Sequence, residues 1–63
     1  MDTFQIGSIL SFLVEAMAVN AEIEAMKAAN SQFPNDQPYS TEAFQEKVVH
    51  LWAISNNILK AVQ

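Results

Sequence analysis

His50 is the chain's one histidine, and Glu46 precedes it by four residues, one helical turn away. A carboxylate at that spacing can orient an imidazole for general acid–base work. Catalysis also needs a nucleophile or a substrate cavity within hydrogen-bond reach, and that face offers neither Ser, Thr nor Cys. The chain holds no glycine-rich phosphate loop, nucleophile elbow or metal box. Without cysteine, and with a single histidine among seven scattered carboxylates, no zinc-like ligand spacing exists. No catalytic, cofactor-binding or metal-ligating residue is therefore assigned, and the chain reads as a non-enzyme. The remaining polar group of interest is Asn20, Glu24 and Lys27, continued by Asn30, Phe33 and Tyr39. Glu24 and Lys27 have i,i+3 spacing, an ordinary surface pair in a helix. Aromatics on a proline-stiffened turn lose little entropy when they bind, so these six residues are the expected rim of a partner-binding site.

Sixty-three residues allow one small domain, residues 1–63, with a marginal core. Disulfides are excluded, which leaves oligomerisation as the reinforcement. Three lysines against seven acids give a net charge of −4 without any arginine. That balance argues against nucleic acid, whose phosphates need clustered basic side chains. The apolar run from Phe4 to Val19 is about 16 residues long, below the roughly 20 that span a bilayer. Asp2 also opposes a secretory leader, which begins basic. A cytoplasmic protein that does not engage membranes is the expectation.

Every strong breaker lies in "NSQFPNDQPYST", Asn30 to Thr41, which divides two helical stretches. Helix 1 is expected over about 3–29, started by Asp2 with Gln5 in a capping box and ended by Asn30 in a left-handed conformation. The turn covers about 30–40, with a tight bend at Pro34, Asn35 and Asp36. Helix 2 spans about 41–62 from an N-cap at Ser40, with Tyr39 and Phe44 spaced as a hydrophobic staple.

Alternating three- and four-residue steps mark a coiled-coil seam through Ile9, Phe12, Ala16, Val19, Ile23 and Met26. Helix 2 offers Phe44, Val48, Leu51, Ser55, Ile58 and Val62 at the same spacing. Glu46, His50, Asn57 and Lys60 form its polar face. Ser8, Ser11, Glu15, Ala18, Glu22, Ala25 and Ala29 share the solvent side of helix 1, or a side of close approach where only alanines occur. The expected fold is all-α: an antiparallel two-helix hairpin. Apolar side chains remain outside its seam. Helix 1 has a second stripe of Ile6, Leu10, Leu13 and Met17. Helix 2 has Trp52 and Leu59 on one flank, with Ile54 and Ala61 on the other. Two helices bury about one stripe each, so a homo-oligomer is expected, in the simplest case a dimer forming a four-helix bundle. Its interface would be Ile6, Leu10, Leu13, Met17, Trp52 and Leu59. The second stripe turns polar at Asn20, Glu24 and Lys27, where that interface would end.

The segment "EIEAMKAANSQFPNDQPYSTEAF" resembles small phage-encoded helical-hairpin accessory proteins, over about a third of the chain. Their pattern is a helix ending Met-x-Ala-x-Asn, a polar turn, then Tyr and an acidic-aromatic helix start. Met26, Ala28, Asn30, Tyr39 and Phe44 occupy the matching positions, while two turn prolines and the missing arginine after Asn30 depart from it. The resemblance implies an accessory protein that binds and modulates a host or defence macromolecule in the host cytoplasm. Two further functions are compatible with the pattern. One is a nucleotide-like small-ligand sponge at the oligomer interface, where symmetry would pair Asn20 and Lys27. The other is an RNA-binding hairpin dimer, which the acidic charge opposes.

Overall fold

The computed structural model describes all 63 residues, as two helices, α1 (Thr3–Gln32) and α2 (Thr41–Val62), with no strand. Local sequence signals set the start of each helix. At the start of α1 the Asp2 carboxylate accepts from the Gln5 N–H at 2.7 Å, and the Gln5 side-chain oxygen accepts from the Asp2 N–H at 3.1 Å. This is the expected capping box, which satisfies two otherwise unpaired donors. The Gln5 amide also donates to the Ala61 carbonyl at 3.2 Å. That carbonyl lies in the last turn of α2, where no intrahelical donor remains. One side chain thus starts α1 and ties the open end of the hairpin. At α2, Ser40 Oγ accepts from the Ala43 N–H at 3.2 Å. Glu42 in the first turn and Lys60 in the last both complement the helix dipole.

The end of α1 departs from the sequence expectation. The helix continues through Gln32, and no residue takes a positive φ, so Asn30 is helical rather than left-handed. Asn30 is the next seam position after Met26, and its amide bridges the turn. Its Nδ2 donates to the Tyr39 carbonyl and its Oδ1 accepts from the Tyr39 N–H, both at 3.0 Å. Two bonds to one residue nine positions later clamp the turn shut and outweigh the tendency of asparagine to terminate. Within the clamp, Asp36 N–H donates to the Phe33 carbonyl at 3.2 Å, closing the expected bend with Pro34 at its first central position.

The helices pack antiparallel around Val19, Ile23, Met26 and Ile54, the four buried residues. Phe12, Ala16, Phe44, Leu51 and Ile58 pack against the Val19–Ile23–Ile54 cluster. The seam of α1 is as read from the sequence. That of α2 is rotated. Ile54, expected on a flank, is the most buried residue at 2% exposure, whereas Val48, Ser55 and Val62 are exposed. The true stripe is Phe44, Lys47, Leu51, Ile54, Ile58 and Ala61, which also alternates steps of three and four. Rotation buries Ile54 rather than Ser55, and the displaced Ser55 hydroxyl donates to its own Leu51 carbonyl. Lys47 is tolerated because its stem lines the seam while its amine reaches out to Glu22.

The backbone extends 51 × 16 × 9 Å, a single layer of two helices. Its radius of gyration is 14.9 Å, against about 11 Å for a compact domain of this length. It exposes 4762 Å², about 700 Å² more than the roughly 4,000 Å² of a compact monomer of this mass.

Candidate functional site

A layer one helix thick has two broad faces, and the ion pairs identify which is which. Glu15 pairs with His50 Nε2 at 3.1 Å, and Glu22 pairs with Lys47. Both pairs cross between helices along one side of the seam. The Glu15–Glu22 edge of α1 is therefore not a solvent side remote from α2. It borders α2 and carries the polar face of the hairpin. His50 meets Glu15 rather than its sequence neighbour Glu46, because α2's rotation turns it toward α1.

At 3.6 residues per turn, the opposite edge of α1 carries Ile6, Leu10, Leu13 and Met17. The matching edge of α2 carries Val48, Trp52, Leu59 and Val62. Because the helices are antiparallel, these two edges fall on the same side of the layer. All eight side chains are exposed, Met17 and Trp52 the most at 71% and 67%. They form one continuous apolar face, far larger than the scattered apolar residues of an ordinary surface. Sequence reasoning found six of these residues. It missed Val48 and Val62 because the misphased seam had already assigned them to the core.

The six residues expected at a partner-binding rim are only partly gathered. Asn30 and Tyr39 are joined at the turn, and Glu24 pairs with Lys27 at 3.3 Å. Phe33 caps α1 and is exposed. Asn20 lies on the apolar-face edge, just beyond Met17. The Tyr39 side chain instead helps line a shallow open groove with Glu22, Ala25, Met26 and Lys47, on the polar-face side. Glu22 and Lys47 were not among the sequence candidates, since they lie 25 residues apart and only the fold joins them. No group of three or more His, Cys, Asp or Glu side chains converges on a common point.

Lys47 holds the Glu22 carboxyl below the usual carboxylate range, first through its hydrogen bond and then through its charge. A lowered folded-state value means that the unfolded chain takes up the proton first as pH falls. The pair's contribution is thus complete above about 4.5, the ordinary value, and is lost as pH drops through the lower folded one. Glu22→Gln should accordingly be less stable than the parent near neutrality, with the difference shrinking below that pH. Urea midpoints across an acid series measure this, and the effect is small because the pair is half-exposed.

By length and composition α1 is apolar enough to cross a membrane, and little of its apolar stretch is buried in the hairpin. The shorter run read from the sequence had fallen below that length. Comparison with known proteins returned no matching family model, no matching curated protein and no matching solved structure.

Proposed function

We propose that the chain is a non-enzymatic interaction protein, which dimerises through its apolar face into a four-helix bundle and presents the turn end to a macromolecular partner. The observation that carries this reading is the eight-residue apolar face spanning both helices. Its exposed area is on the order of 800 Å² per copy, the amount each side of a standard stable interface buries. It also accounts for the roughly 700 Å² by which the hairpin exceeds a compact monomer. The turn end supplies a second, different surface. Phe33 and Tyr39 are exposed there on a backbone fixed by Pro34 and the Asn30 clamp. In keeping with the resemblance over residues 22–44, the partner is a host or defence macromolecule and the protein a phage-type accessory factor acting in the cytoplasm.

Alanine substitution separates the two surfaces. The Asn30 bonds go to the Tyr39 backbone, so Tyr39→Ala leaves the clamp in place. Phe33→Ala, Tyr39→Ala and Glu24→Ala should retain parental helicity and mass. Loss of an aromatic anchor costs about 2 kcal/mol, roughly 30-fold in affinity. The measurement is capture of a partner by tagged protein from the natural host, followed by titration of that partner against each variant. If all three variants bind as the parent does, the turn end is not the contact surface.

A further inference from the structure

Two hairpins can stack their apolar faces with the turns at one end or at opposite ends. On the premise that the pairing proposed above occurs, we infer that the turns point in opposite directions and that the copies overlap only at their open ends.

The apolar residues are confined to one half of the layer. On α1 they stop at Met17, and Asn20, Glu24 and Lys27 continue the same edge toward the turn. On α2 they begin at Val48. Cross-helix partners fix how the two blocks align: Gln5 with Ala61, Glu15 with His50, Glu22 with Lys47, Asn30 with Tyr39. By that alignment, Ile6–Met17 and Val48–Val62 lie side by side, centred near Leu10 and Leu13. Two opposed copies overlapping along their whole length would lay Asn20, Glu24 and Lys27 of one over Ile6 and Leu10 of the other. That arrangement buries charge against aliphatic groups at a cost it does not recover. Apolar surface meets apolar surface only if the two-fold axis passes through the centre of the block.

Two orientations satisfy that condition, and charge decides between them. The turn half holds Glu22, Glu24, Asp36, Glu42 and Glu46 against Lys27 and Lys47, a formal −3 of the chain's −4. With turns at the same end, two such tips would lie about one Debye length apart and repel. With turns opposed they are fully screened from each other. The block centre is some 21 residues of helix from the turn, or about 32 Å at 1.5 Å per residue. Opposed tips are thus about 65 Å apart, and the assembly is a rod carrying one acidic, aromatic tip at each end. Such a rod engages two partner molecules at once.

The chain has no cysteine, so a single nitroxide label can be placed at Asn35→Cys, at the exposed tip with no side-chain hydrogen bond to lose. Pulsed dipolar spectroscopy on the full-length protein, with light scattering on the same sample, reads the geometry. A dimeric mass with a tip-to-tip distance of about 65 Å supports the inference. A dimeric mass with a distance near 20 Å places the turns together and overturns it. About 50 Å indicates full overlap and overturns it as well. A monomeric mass without dipolar coupling overturns the pairing itself, as does label density found only with added vesicles, which would make lipid the occupant of the face.

Discussion

Trp52→Glu should convert the protein into a monomer with greatly reduced helicity at micromolar concentration. The indole is 67% exposed in the hairpin and sits at the middle of the apolar face. Covering most of it in the pair contributes about 3 kcal/mol per copy, and symmetry counts the loss twice. About 6 kcal/mol corresponds to a Kd roughly four orders of magnitude weaker, before any cost of enclosing the new carboxylate. Helicity falls with it because four buried residues hold the single hairpin only weakly. Val49→Glu is the matched control. Val49 is 62% exposed, yet it lies on the outer edge of α2, facing away from both α1 and the apolar face. It should keep parental mass and helicity. Light scattering through a dilution series, with far-UV circular dichroism on each sample, makes the comparison. An unchanged mass for Trp52→Glu would remove the basis for pairing through this face.

The second large effect is within the hairpin. Ile54→Ala removes the most buried side chain and leaves a void against Val19 and Ile23, at a cost of about 2–5 kcal/mol. For a chain this small that approaches the whole of its stability, so the variant should be largely unfolded at room temperature. Ser55→Ala, the neighbouring substitution, should change stability by less than about 0.5 kcal/mol. Urea midpoints at one fixed protein concentration test both. The reverse order, with Ser55→Ala the more damaging, would restore the alternative phase of α2 and refute the seam described above.

That phase shows where sequence reading reaches its limit. In α1 only one set of positions places Phe12, Val19, Ile23 and Met26 on a common stripe, so periodicity alone was sufficient. In α2, Leu51 and Ile58 belong to two competing stripes, one through Val48 and Ser55, the other through Lys47 and Ile54. Both alternate steps of three and four. The stripe through Val48 and Ser55 carries no charge, but a lysine stem packs well when its amine has a partner, and the partner of Lys47 lies in α1. Asn30 was misread for a related reason. Asparagine tolerates left-handed backbone, a local property, whereas its actual role depends on Tyr39 across the turn. The capping box, the Ser40 cap and the Pro34 bend were legible because each is complete within four residues. The candidate site divides in the same way. Its apolar members follow from spacing, while the Glu15–His50 and Glu22–Lys47 pairs that orient the two faces exist only once the helices are docked. The partner's identity is not legible, since the exposed Phe33 and Tyr39 have no spacing that specifies one class of macromolecule.

A layer one helix thick has no interior beyond its one seam. On the pairing proposed above, mass action makes the ordered fraction rise with protein concentration, the two-tipped dimer growing as the square of the free monomer at low dose. Dilute, unpaired chains would be loosely structured and open to proteolysis. As concentration passes the dissociation constant of that pairing, protection from proteolysis and the two-tipped form would rise together.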